Sequence, residues 1–153
     1  MVVKNKSPIW SKEIRKFLEQ WFSSLMEGIE QINDSMWPEI LAFTEHACAH
    51  IHLDEFKQTW EKSEGFDDFL LELNKLGGEF FEKINENQLK ATYTKCTCPF
   101  VQLGFINSPI LCNCSPNWLA HKFEVILGKN VEVITEQSIL RGAETCRFTI
   151  LLD

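Results

Sequence analysis

The chain is short of positive charge. Fifteen lysines and arginines stand against twenty-two acids, for a formal net charge of −7, and the basic residues are scattered among the acidic ones. Phosphate binding needs a clustered excess of Lys and Arg, so a nucleic-acid partner is excluded. There is no apolar run long enough to span a bilayer, which excludes a membrane partner of that kind. The opening stretch "MVVKNKSPIW" lacks the apolar segment of a secretory signal, so the expected compartment is the cytoplasm. Glycine-rich phosphate loops, nucleophile elbows and His-Glu-x-x-His are also missing. Internal repeats and low-complexity linkers are absent as well.

What is present fits one ordinary domain. A length of 153 residues is enough to bury a core without staples, so residues 1–153 are expected to fold as a single unit. Twelve Phe and five Trp against one Tyr require a thick core, an apolar cavity or a partner surface.

Residues 1–77 read as helical. Ser7 and Pro8 suit a helix start. Trp10, Ile14, Phe17, Leu18, Trp21, Leu25, Ile29 and Ile32 recur at three- and four-residue steps, a stripe that serves either the core or the seam of a homodimer. A second helix is expected from Trp37-Pro38 through "EILAFTEHACAHIH". A third is expected after Asp54, and a fourth over "FDDFLLELNKL", closed at Gly77-Gly78. Residues 78–153 change period. "EFFEKI" and "LKATYTKC" read as antiparallel strands around "NENQ", and "SPNWLAHKFEVIL" as a helix capped by Ser115, opened by Pro116 and ended by Gly128. "NVEVITEQ" and "TCRFTILL" read as the last two strands. The expected class is α+β: N-terminal helices, then a mostly antiparallel sheet of about four strands, with one further helix before the last two.

Four of the six cysteines fall in "KCTCPFVQLGFINSPILCNCSP", residues 95–116. In a reducing compartment paired cysteines serve as metal ligands or reactive thiols more often than as disulfides. If the segments are extended, Cys96 and Cys98 share one face, and so do Cys112 and Cys114. Four converging sulfurs would suit zinc. The alternatives are buried free thiols and a reactive pair. Cys146 alternates with Phe148, Ile150 and Leu152 on one strand face and reads as a small core residue. In "HACAHIH", His46 and His50 lie on one side of a helix, Cys48 and His52 on the other, so one ion cannot easily use all four. Cys48 and His50 flank the apolar stripe and can reach a pocket between helix and sheet.

The final stretch, "CNCSPNWLAHKFEVILGKNVEVITEQSILRGAETCRFTI", resembles the C-terminal signature of the 4-vinyl reductase-type small-molecule-binding domain. The matching features are Cys112 or Cys114 before a helix, Gly128 ending it, Val131 and Val133 in the next strand, Glu136, and Gly142 with Cys146 and Phe148. More loosely, and over more of the chain, it is similar to the L-2-amino-thiazoline-4-carboxylic acid hydrolase-like family, where Cys48 would be the early helical cysteine. The resemblance implies a sheet flanked by helices, an apolar pocket between them, and cysteines that bind zinc or line the ligand site. Ile139 stands where many vinyl-reductase-type domains carry a further cysteine, so a metal site here would draw on the Cys96 and Cys98 pair instead.

Two functions follow as expectations. The first is a small-molecule-binding sensor or carrier, with a pocket at Cys48, His50 and Cys146 and zinc at Cys96, Cys98, Cys112 and Cys114. The second is a hydrolase of a small cyclic amide or thiazoline-like substrate. There Cys98, Cys112 or Cys114, or a zinc-bound water, would attack the C=N or C=O carbon with His50 as base.

Overall fold

A computed structural model describes residues 12–32, 36 and 52–153. The expected second helix, with His46, Cys48 and His50, lies outside the described residues.

Helix α1 spans Lys12–Glu30. Its inward side is not the whole stripe read from the sequence. Leu18, Phe22 and Met26 pack on Phe105, Ile106 and Leu111, a small apolar cluster of its own. Ile14, Phe17, Trp21 and Leu25 stay exposed. The helix carries two apolar lines, and only the 18–22–26 line meets the 98–111 segment. Arg15 donates to the Leu103 carbonyl and Ser108 bonds to the Glu30 carboxylate, which fixes the docking.

Helix α2 is Leu53–Lys62 and helix α3 is Phe66–Leu76. α2 starts ahead of the Asp54 cap expected from sequence. Its cap position is His52, at a φ of 61°, a left-handed conformation that a non-glycine residue adopts uncommonly. Strand β1 is Glu79–Asn85 and strand β2 is Gln88–Tyr93. They turn where "NENQ" was expected to turn, with Asn85 Oδ1 accepting from the Asn87 N–H at 2.9 Å.

Beyond Tyr93 the chain leaves the sheet. A short helix α4, Pro99–Gln102, and a 3₁₀ turn, Pro109–Asn113, lead into helix α5, Ser115–Leu127. Ser115 is the first helical residue, so the cap position belongs to Cys114. Gly128 ends α5 at a φ of 63°, where a side chain would be strained. Strand β3 is Val131–Gln137, a 3₁₀ turn follows at Ile139–Arg141, and strand β4 is Cys146–Leu152.

The four strands form one antiparallel sheet in the order β1-β2-β4-β3. This is the α+β arrangement read from the sequence. One face of β4 alternates as expected, with Cys146, Phe148, Ile150 and Leu152 buried, and Leu89, Ala91 and Tyr93 of β2 are buried beside them. Against this face pack α2, α3 and α5 through Phe56, Phe69, Leu70, Leu73, Leu119 and Phe123. The rings meet edge to face, Phe56 with Phe69 at 5.0 Å and with Phe123 at 5.2 Å, the arrangement their quadrupoles favour. Among the described residues, no helix is long and apolar enough to cross a membrane.

Candidate functional site

The cysteines gather where the sheet ends. The last residue of β2, Tyr93, pairs with the first residue of β4, Cys146. At that end the chain bends at Thr94-Lys95, and residues 96–98 are neither helix nor strand. This corrects the strand read over "LKATYTKC" and the extended placing of Cys96 and Cys98, because the strand stops at Tyr93. Cys112 is likewise not extended but lies in the 3₁₀ turn, with Cys114 just after it. Pro109, which has no N–H to donate to a ladder, opens that turn.

These segments enclose a cavity of about 20 Å³ walled by Tyr93, Cys96, Cys98, Cys112, Ser138 and Cys146, among others. A second cavity of about 40 Å³ lies beside it, with Thr97, Cys98, Leu111, Ser115 and Trp118 as shared walls and Cys114 lining the second alone. All five described cysteines are free thiols, and all five line one or other cavity. The structure therefore brings together Cys96, Cys98, Cys112, Cys114 and Cys146 as pocket wall, while Cys48 and His50 fall outside the described residues. Gathering is not chelation: among the described residues no three His, Cys, Asp or Glu side chains are placed to hold one metal ion. As they stand, the thiols do not fit a zinc cage.

Local bonds hold the walls in place. Arg141 Nη2 donates to Asn113 Oδ1 at 2.6 Å, tying one 3₁₀ turn to the other. The Ile139 N–H donates to Cys146 Sγ at 3.4 Å, and Cys114 Sγ donates to the Leu111 carbonyl at 2.9 Å. Burial pushes the Cys96 and Cys146 thiols above the ordinary thiol range, and the neighbouring cysteines add to the effect in both. Those two sulfurs are held protonated at neutral pH, the opposite of what an attacking thiolate requires.

Two wall residues carry hydroxyls that find no partner among the described residues: Tyr93 Oη and Ser138 Oγ are buried, each residue only 1% exposed, and make no hydrogen bond. Burial also pushes the Tyr93 phenol well above its ordinary value. Buried polar groups are nearly always paired, so two orphans around one small cavity mark it as a place for a further polar atom. Sequence reasoning missed both. Tyr93 was legible as the last inward residue of its strand, but Ser138 carried no signal, because its burial comes from the turn after β3.

A polar cavity adjoins the cysteine pocket. About 230 Å³ in volume, it is lined by His52, Glu55, Phe56, Glu79, Thr97 and Lys122, with Gly77 and Gly78 at its rim. Thr97 is common to all three cavities. Trp118 lines the two smaller cavities, and Lys122 Nζ, at the wall of the larger one, lies 3.9 Å from its ring centroid.

No protein-family model matches the chain, and no curated protein matches it in sequence, so neither the vinyl-reductase-type nor the thiazoline-hydrolase-like resemblance gains support there. Solved structures do resemble it. A trafficking protein particle complex subunit 3 from Naegleria fowleri, covalently bound to palmitic acid, aligns with 94% of this chain and 97% of its own at a TM-score of 0.51 and 12% identity. An H-NOX protein from S. oneidensis, in its Fe(II)NO state, aligns with 100% of this chain and 81% of its own at a TM-score of 0.47 and 16% identity. At this identity the first likeness establishes architecture and nothing more: the chain has the α+β fold of that trafficking-complex subunit.

Proposed function

We propose that the protein is a small-molecule-binding domain, a sensor or carrier, whose ligand sits in the cysteine-lined pocket at the end of β2 and β4. The observation that carries this is the pair of unpartnered hydroxyls, Tyr93 Oη and Ser138 Oγ, around a cavity walled otherwise by thiols, apolar side chains, Thr97 and Ser115. A pocket that is mostly apolar, with few fixed polar groups, is the usual form of a ligand site. As it stands the cavity of about 20 Å³ holds about one water-sized group, so the ligand it suits is compact and apolar, enters by widening the pocket, and places one hydrogen-bonding group at Tyr93 and Ser138. The trafficking-complex subunit is described with a covalent palmitic acid. Cavities of about 20 and 40 Å³ give no room for such a chain unless the pocket opens. The hydrolase reading has no specific observation in its favour: its nucleophiles Cys98, Cys112 and Cys114 line the cavities, but its base, His50, lies outside the described residues.

The test is extraction. The full chain is purified under reducing conditions and denatured, and the released small molecules and metals are measured for the wild type and for the Tyr93→Phe, Ser138→Ala double variant. A compact organic molecule near one per chain in the wild type, depleted in the variant, is the expected result. Zinc near one per chain, with thiols protected until chelation, would instead make Cys96, Cys98, Cys112 and Cys114 a structural cage after rearrangement of the 96–114 segment. Recovery of neither, with no compound in a fragment library raising the melting temperature, would end the binding proposal.

A further inference from the structure

The polar cavity beside the cysteine pocket holds an unusual group. Lys122 lies on the inward face of α5 between Leu119 and Phe123 and is only 2% exposed. Its Nζ stands over Trp118 at 3.9 Å and Phe56 at 5.3 Å. Among the described residues no carboxylate makes an ion pair with it. Lysine is almost never fully buried unless paired. An unpaired amine in aromatic surroundings, at the wall of a cavity of about 230 Å³, needs a use.

We infer that Lys122 is a carbonyl-reactive amine, and that this cavity is a second site, which takes a small neutral aldehyde or ketone and holds it as an imine on Nζ. The charges favour a neutral occupant. Glu79, part-buried on β1, and Glu55 on α2 both act on Lys122 electrostatically, and would repel an anion. A cation would meet the ammonium itself. His52, the other titratable group lining the cavity, is taken up by Glu55 at 3.4 Å. Among the described residues access is open at Gly77 and Gly78, which put no side chain over the rim, and a Cβ at either would touch nothing within 4 Å.

The step balances without a redox partner. The Nζ lone pair attacks the carbonyl carbon, both amine protons pass to the carbonyl oxygen, that oxygen leaves as water, and the C=N bond remains. It reverses by hydrolysis. Burial lowers the Lys122 pKa, against the smaller opposing pull of Glu79 and Glu55, so more of the amine is neutral. The face of Trp118 favours the ammonium, while desolvation favours the free amine. Glu79 is raised, again by burial first, which suits it to shuttle protons to the departing oxygen. Desolvated lysines form Schiff bases for this reason.

The test is reductive trapping on the full chain. Propanal and cyanoborohydride are supplied at neutral pH, and N-propyl lysines are mapped by mass spectrometry over time. Lys122 is expected to be modified several-fold faster than any other lysine side chain, although it is the more buried. Glu79→Gln should slow modification at Lys122 and leave the exposed lysines unchanged. Modification of Lys122 no faster than the exposed lysines, or none at all, overturns the inference. The readout is in the wild-type chain and is independent of any ligand in the cysteine pocket, so the two proposals fail separately.

Discussion

Removing the two orphaned hydroxyls should stabilise the empty protein and weaken its ligand binding. Tyr93→Phe keeps the ring packed 5.5 Å from Phe148 and 6.4 Å from Phe81 and deletes only the oxygen. Ser138→Ala deletes one atom beside a cavity of about 20 Å³. A buried hydroxyl without a partner costs about 1–3 kcal/mol of desolvation. Relief of that cost, less the contacts the oxygen made, predicts a gain of about 1 kcal/mol per substitution. In a chain of this size that is a rise of about 2–4 °C in Tm. The two sites wall the same cavity, so the double variant need not show the sum. With ligand present the sign reverses: losing one hydrogen bond, about 0.5–1.5 kcal/mol net, weakens binding roughly two- to twelvefold. The assay is urea unfolding followed by tryptophan fluorescence, on protein refolded from denaturant so that bound molecules are stripped. If both substitutions lower the stability of the stripped protein by about 1 kcal/mol or more, the hydroxyls are already satisfied, and the argument from orphaned groups is refuted.

The single tyrosine gives a second check. Its native pKa is raised well above the ordinary value by burial, so the folded state keeps a proton that the unfolded state releases. Stability is full below about pH 10, the unfolded value, and falls as the pH rises above it. Absorbance near the phenolate band should appear only together with unfolding, and a reversible titration near pH 10 in the folded protein would contradict it. Phe69, 0% exposed and ringed by Phe56 and Trp60, should cost about 3–5 kcal/mol on change to alanine; a urea-derived loss under about 1.5 kcal/mol would mean the core is looser than described. We propose finally that the exposed side of α1, with Phe17 60% and Trp21 51% exposed, pairs with a second copy of the chain. Sedimentation should show a concentration-dependent dimer that the Phe17→Glu, Trp21→Glu variant abolishes, and a wild type that stays monomeric throughout would dismiss the pairing.

The architecture was legible because it is periodic. The alternation Cys146, Phe148, Ile150, Leu152 named the inward face of β4, and the same period-two pattern in Leu89, Ala91 and Tyr93 marks that of β2. Gly128 and Gly142 stand at the left-handed positions, φ 63° and 93°, that local turns require. The site was only half legible. Cysteine spacing singled out residues 96–114 but suggested extended pairs, and nothing in "KCTCPF" announces that the strand stops at Tyr93. The pocket is made by non-local packing of turns on the sheet end, and propensity does not encode that. For α1, a stripe of three- and four-residue steps could not tell which of two apolar lines would dock. Lys122 did carry a signal: a charge at an inward helical position between Leu119 and Phe123 is a departure from the apolar pattern, and such departures fall at functional or strained sites.

The strand order has a consequence for how the chain is made. β4 lies between β2 and β3, yet it is the last of the four to be translated. Until residues 146–152 emerge, β2 and β3 have no common neighbour, and each presents an unpaired ladder edge. The first hairpin can form early, but the sheet, the Tyr93–Cys146 pair and the thiol pocket beside it can close only after the final strand inserts. Closure then spans a long stretch of chain, from β2 to β4, which makes it slow. During that interval the open edges are exposed to pairing with other chains. A nascent chain stalled before β4 should therefore hold its helices and first hairpin while leaving its cysteines open to solvent.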